Sequence, residues 1–379
     1  MPIRKRIIKT NHGELITPFF MPDATRGFVK FLSNGDLLKS KTDSIVVNTY
    51  HLYLQPGTDV IKNSGGIHRF MNYNGPLLSD SGGYQVFSLI HKNPNMGKIT
   101  DNEVIFRSSL DGSRHVLTPE KSIQIQFDLG VDMIVCLDDP PPNNFSKEKI
   151  DSAVDRTIAW AERCMIEYEK QLQDRKIKDE ERPLIFCVIQ GGEHIDLREK
   201  CARGLKEVGK ELGRDWDGYG FGARHIDENG KFLKDILEKT ASFIPKESLR
   251  FALGVGSPED ILRCVKIGWD MFDCVIPTRE GRHGKLFVRK SKIKKIASIL
   301  KIGKQKESFY GVMNIGNKKY KDDFSPVDKS CGCELCKNYS RSYLNHLFKS
   351  KDPLGMRLAS MHNLYFYAEL MKEIREKMN

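Results

Sequence analysis

Leu184-Ile-Phe-Cys-Val-Ile-Gln-Gly-Gly192 runs six apolar residues into an amide and two glycines. It lacks the period-two alternation of a half-exposed strand, so it reads as a strand covered on both faces. Similar runs recur at Pro18–Thr25, Ser44–His51, Pro76–Gln85, Asp132–Asp139, Gly218–His225, Phe251–Ser257 and Met271–Arg279, each ending in a polar or glycine-rich cluster. Helix-like stretches separate several of them, among them Lys147–Glu169, Asp196–Leu212 and Ser257–Ile267. Strand–helix alternation implies βαβ units and parallel pairing. Repeated about eight times, it predicts an α/β fold of the (β/α)8 TIM-barrel type, with a doubly wound open sheet as the competing topology.

Barrel chemistry sits at the C-terminal strand ends. Those ends carry Asn48, His51, Asp80, Ser81, Gln85, Asp138, Asp139, Gln190, Gly222 and Asp273. Carboxylates there bear a desolvation cost that an exposed helix face would spare them. Helix capping is the plainer reading, and Asp139 and Ser257 also fit it. The polar segments His91–Asn102 and Gln171–Arg182 read as surface insertions or helix ends. Past Pro277 the pattern loosens into a basic, cysteine-bearing stretch before a last helix at Met356–Met378.

The 379 residues are 39% hydrophobic and 29% charged, enough for one large core plus an appendage. No apolar run approaches the roughly 18 residues of a membrane span, and the N-terminus lacks a secretory h-region, so a cytoplasmic address is expected. Net charge is +11 and pI about 9.1. From Lys285 to Lys306 there are nine Lys or Arg and no acidic residue, which suits a phosphate backbone or, equally, a solvated lysine-rich face. Nine cysteines, six of them scattered singly, argue against a disulfide framework.

The other three form Cys331-Gly-Cys333-Glu-Leu-Cys336, whose spacing lets thiolates converge on one tetrahedral ion. A closed zinc site needs a fourth ligand, and spacing leaves both His346 and His362 open. Such a site is structural, having no open position for chemistry.

Asp80-Ser-Gly-Gly-Tyr-Gln85 places a carboxylate and a hydroxyl beside glycines that admit a flat ligand close to the backbone. Gln190-Gly-Gly192 repeats that logic with an amide. Asp273 precedes Arg279 and Arg282. A carboxylate beside two arginines suits attack on a sugar within a phosphate backbone, with a second carboxylate as acid and base, as in retaining glycosyl transfer. Read singly, Asp80 also fits a turn, Gln190 a core amide and Arg279 an ion-pair partner.

Taken in order, Asp80–Gln85, Val188–Gly192, Leu253–Asp260, Phe272–Gly284 and the cysteine trio with Met361-His362-Asn363 resemble the tRNA-guanine transglycosylases. The likeness extends through Phe20–Lys30, Asn48–Gly57 and Ser340–Lys349, nearly the whole chain. It implies a zinc-stapled barrel that exchanges the wobble guanine of GUN-anticodon tRNAs (Asp, Asn, His, Tyr) for a 7-deazaguanine in queuosine biosynthesis. The resemblance implies Asp273 as nucleophile at ribose C1′ and Asp80, oriented by Asn48, as general acid/base. It assigns the purine edge to Asp138, Gln190, Gly222 and Ala223 with Ser81 and Gln85 nearby, and an incoming aminomethyl group to the Arg224 carbonyl. Tyr84 and Leu253 would sandwich the base, and Arg279 and Arg282 would hold flanking nucleotides of the tRNA. His362 matches the fourth zinc ligand, and Tyr339, Tyr343 and His346 fall where the family's homodimer contacts lie. The implied domains are a catalytic barrel (1–279), a basic and zinc-binding subdomain (280–353), and a closing helix that supplies the last ligand (354–379).

Two stretches depart from the bacterial pattern. Leu137-Asp-Asp-Pro-Pro141 replaces F-D-E-C-T, and Gly222-Ala-Arg-His-Ile-Asp-Glu228 replaces G-G-L-A-V-G-E. The resemblance implies 7-aminomethyl-7-deazaguanine as the base, but positive charge on Arg224 and His225 should disfavour its aminomethyl cation, which makes queuine the rival. Three other classes compete. A barrel glycoside hydrolase would release free sugar; an inert tRNA-binding subunit would lack the nucleophile; base exchange on DNA is open on sequence grounds.

Overall fold

A computed structural model describes residues 4–142, 144–290 and 308–377. Most of the basic run, residues 291–306, lies outside the described residues. Eight strands form one sheet: β1 (Phe19–Pro22), β2 (Ile45–Asn48), β3 (Leu77–Asp80), β4 (Met133–Val135), β5 (Leu184–Ile189), β6 (Gly218–Phe221), β7 (Leu249–Ala252) and β8 (Met271–Cys274). Every neighbouring pair is parallel, and the order runs β1-β8-β7-β6-β5-β4-β3-β2. The ring closes where Asp23 bridges Val46 and the Ala24 N–H donates to the Val46 carbonyl at 2.7 Å. This is the expected (β/α)8 barrel and not an open sheet.

Burial on both faces explains the unalternating runs. Inward side chains such as Phe19, Met21, Val46, Leu78, Phe186, Val188, Phe251 and Met271 make one apolar cluster inside the barrel. Their neighbours, including Phe20, Val47, Leu77, Cys187 and Phe272, pack outward under the helices. A hairpin of Ile7–Thr10 and Gly13–Ile16 covers the N-terminal end and adds Ile8 and Leu15 to the interior. It is pinned by His12, which stacks on His68 at 3.5 Å while both rings contact Asp132, at 2.8 and 3.2 Å. At this end of a barrel such contacts serve stability.

The expected helices appear as Lys147–Asp174, Ile195–Glu211 and Pro258–Lys266. The polar segment after His91 leads into an inserted three-stranded antiparallel sheet, Gly97–Ile99, Val104–Arg107 and Arg114–Leu117. Beyond β8 come the short helix Ile276–Arg282, an antiparallel pair Lys285–Arg289 with Tyr310–Asn314, and the final helix Pro353–Glu376. That helix begins at Asp352, whose side chain accepts from the Leu354 N–H at 2.8 Å. No helix among the described residues is long and apolar enough to cross a membrane.

The final helix crosses Ile276–Arg282 at Gly281, where an added Cβ would lie 2.8 Å from the Ser360 backbone. Asn363 fastens the junction by donating to the Pro277 and Lys285 carbonyls, both at 2.9 Å, and accepting from the Phe287 N–H at 3.0 Å. The helix bearing Arg279 and Arg282 is thereby held at the barrel mouth. Replacing Gly281 with Val should cost about 1–3 kcal/mol in urea unfolding, because the backbones must separate. Gly35→Ala, where the nearest atom is 3.7 Å away, should be nearly neutral.

Candidate active site

Inward parity carries past the apolar layers to the C-terminal strand ends. Two residues beyond Met21, Val46, Leu78, Val188, Gly220, Phe251 and Met271 come Asp23, Asn48, Asp80, Gln190, Gly222, Leu253 and Asp273. One alternation therefore places these side chains on one polar surface at the mouth.

Asp80 is gripped from β2. Asn48 lies opposite it in register and donates Nδ2 to Asp80 Oδ2 at 2.5 Å, while the N–H groups of Thr49 and Gly82 donate to Oδ1 at 3.2 and 3.1 Å. Gly82 sits at φ +77° with Tyr50 N 2.8 Å from where a Cβ would stand, so that turn requires glycine. Burial pushes the Asp80 carboxyl up to about 7; the backbone donors oppose this, and Asp273 and Asp23 reinforce it. Asp273 accepts from the Gly254 N–H at 2.8 Å, and burial raises it to about 6 with Asp23 adding to the rise.

On the opposite arc, Gln190 Nε2 donates to Asp138 Oδ2 at 2.6 Å, and burial lifts Asp138 to about 7. Gln190 Oε1 and Gln85 Oε1 are buried without hydrogen-bond partners among the described residues. Gly222 allows the strands to approach, since a Cβ there would lie 2.3 Å from Gln190 Nε2. Arg198, fully buried on the helix Ile195–Glu211, donates to the carbonyls of Gly192, Ile189 and Gly222 at 2.7, 3.2 and 2.9 Å and stacks on Phe221. Turning the Gly222 carbonyl toward Arg198 aims the Ala223 N–H of the same planar amide the other way. Ala223 takes φ +83°, which side chains rarely adopt.

Ser81 is buried and accepts from the Gly83 N–H at 3.2 Å. Tyr84, in the first turn of the helix Gly83–Lys92, is 65% exposed, and Leu253 is partly buried against the barrel interior. Asp139 is held by Arg156, which also binds Asp101. Arg224 is exposed. His225 faces Asp260 at 3.5 Å, which offsets the repulsion expected from that ring. Arg279 is exposed and 3.7 Å from Glu280, whereas half-buried Arg282 has no ion pair among the described residues. Sequence reasoning missed Asp23, which parity finds, and Arg198, which resembles any helix-surface arginine.

Cys331, Cys333 and Cys336 place Sγ 3.7, 3.4 and 3.3 Å from His362 Nδ1. A tetrahedral ion about 2.3 Å from sulfur and about 2.0 Å from nitrogen sets an S···N separation near 3.5 Å, so the cluster fits a metal. His362 Nε2 lies 2.8 Å from the Phe287 carbonyl; it donates there and leaves the Nδ1 lone pair facing the thiols. His346 is exposed and outside the cluster. Elemental analysis should find one metal per chain, and Cys333→Ser should remove it and lower the thermal midpoint by about 10 °C.

The sequence profile of the Queuine tRNA-ribosyltransferase family matches residues 3–379. Queuine tRNA-ribosyltransferases of Staphylococcus aureus strains bovine RF122 / ET3-1, JH9 and N315 are each 40% identical over 373 residues, covering 98% of this chain and 88% of theirs. With the barrel, its carboxylate-lined mouth and the Cys3His cluster in place, the chain belongs to the queuine tRNA-ribosyltransferase family, the tRNA-guanine transglycosylases that its motifs resemble.

Proposed function

We propose that the chain exchanges the wobble guanine of GUN-anticodon tRNAs for 7-aminomethyl-7-deazaguanine by double displacement. The observation that carries this reading is the pair of half-buried carboxylates, Asp80 and Asp273, facing one mouth beside a buried amide–carboxylate pair, Gln190 and Asp138. The purine enters between Asp138, Gln190 and the Ala223 N–H, with Tyr84 and Leu253 on its faces. Ionised Asp273 attacks C1′; the C1′–N9 bond breaks, and its electron pair leaves with guanine as Asp80 donates a proton. Asp80, now a carboxylate, takes the proton from N9 of the incoming base, which attacks C1′ and frees Asp273. Asn48 fixes the oxygen that moves the proton, while Arg279 and Arg282 hold the neighbouring phosphates. An RNA loop offers the base at small unstacking cost.

Cys331, Cys333, Cys336 and His362 would hold Zn2+ with no open position, a structural role. Exposed Phe324 beside the stacked Tyr339 and Tyr343 is the surface for a second copy of the chain. Queuine remains the rival base, because Arg224 is exposed at the departure from the bacterial pattern and Pro140 stands where that pattern has cysteine.

Release of labelled guanine from tRNA, driven separately by the aminomethyl base and by queuine, tests the reading. Wild type should release guanine and Asp273→Ala should not, and the faster base identifies the substrate. tRNA binding without release by either base would instead indicate an inert subunit.

The pH profile follows from the two carboxyls. Asp273 must be ionised and Asp80 protonated, so kcat/KM should peak between about pH 6 and 7 and fall on both sides. Both groups are raised by folding, so their favourable contribution is complete below about pH 4 and is lost as pH rises through 6 to 7. Asp80→Asn should therefore raise the thermal midpoint relative to wild type at pH 8 but not at pH 4, while lowering exchange by about 10²–10⁴.

A further inference from the structure

Asp23 continues the inward parity of Phe19 and Met21 on β1. Its backbone is fixed by the bridge to Val46 and by the Asn48 N–H donating to the Thr25 carbonyl at 3.2 Å. Its Oδ1 accepts from the Thr25 N–H at 2.7 Å and from the Thr25 hydroxyl, which sets the plane of the carboxylate. Oδ2 has no hydrogen-bond or ion-pair partner among the described residues and is not sealed from solvent. Asp23 is thus an oriented acceptor with one oxygen free.

Ring order gives its place in the reaction. β1 lies between β8, which carries Asp273, and β2, which carries Asn48. Asp138, Gln190 and Gly222 follow β4, β5 and β6 on the other arc. With the purine there and C1′ over Asp273, the rest of the sugar extends away from the base and across β1. Asp23 acts electrostatically on Asp80, Asp273, His51 and Arg282, as expected of a group central to that mouth. A third carboxylate so near two others is unfavourable unless it meets a donor or developing positive charge. A sugar passing through an oxocarbenium-like state supplies both, and a hydrogen bond to its 2-hydroxyl strengthens in that state.

We propose that Asp23 accepts a hydrogen bond from the 2′-hydroxyl of the exchanged nucleotide, holding the ribose over Asp273 and distinguishing RNA from DNA. This rests on the guanine exchange proposed above.

The test uses the full chain, an anticodon stem-loop RNA, and the same RNA with one 2′-deoxy substitution at the exchanged guanosine. Guanine release by wild type should fall about tenfold to a hundredfold on the deoxy substrate, mainly in kcat. Asp23→Ala should lose a similar factor on the all-ribose RNA and no more than about twofold on the deoxy RNA. Equal losses on both substrates, or none on either, would overturn the assignment. Asp23→Asn keeps an oxygen for Thr25 and carries the same comparison if the alanine variant does not fold. No release by wild type from all-ribose RNA would overturn the exchange reaction and this inference together.

Discussion

Closing eight parallel strands into a barrel leaves each strand only two directions for its side chains, and the site depends on that constraint. Inward positions must be apolar through the depth of the barrel, where Phe19, Val188, Phe251 and Met271 exclude water. The next inward positions reach the mouth, where polar groups can keep partial contact with solvent or a ligand. Asp80 and Asp273 are raised because they stand just above this apolar packing, with low dielectric beneath them. The interior that stabilises the fold thus also sets the carboxyls near neutrality. A one-residue slip in β3 or β8 would turn its carboxylate outward, under the helices.

Elements outside the ring hold the mouth in shape. Arg198 reaches from its helix to three carbonyls at the ends of β5 and β6 and fixes the amide that presents the Ala223 N–H. The C-terminal segment acts from the other side. His362 and Asn363 are adjacent on one buried stretch of helix, one facing the thiols and Phe287, the other tying Pro277 and Lys285. The Cys3His cluster and the placement of the Arg279–Arg282 helix are therefore mechanically joined.

The eight strand runs were legible because full burial removes polar residues from four to six consecutive positions, a pattern few other elements produce. Asp80, Gln190 and Asp273 stood out as polar residues ending such runs. The Cys331–Cys336 trio was legible from spacing, but the choice of His362 over His346 was not. Both residues sit in helical sequence, and their difference appears only in three dimensions, where docking of the final helix buries His362 while His346 stays exposed on the helix before it. Asp23 escaped notice because an acidic residue after Pro22 reads as a turn, and its direction becomes clear only once β1 has partners on both sides. Arg198 escaped because an arginine among charged helix residues reads as solvated. The charge argument from His225 was weakened for the same reason, since Asp260 is remote in sequence and near in space.

In the proposed double displacement, Asp273 carries the RNA covalently between loss of one base and arrival of the next. Incubating the chain with anticodon stem-loop RNA in the absence of incoming base, then measuring intact mass under denaturing conditions, reads that intermediate. The expected product is an adduct equal to chain plus RNA minus guanine, linked at Asp273 and absent from Asp273→Ala. An adduct mapped to another residue, or guanine exchange with no adduct under any quench, would contradict it.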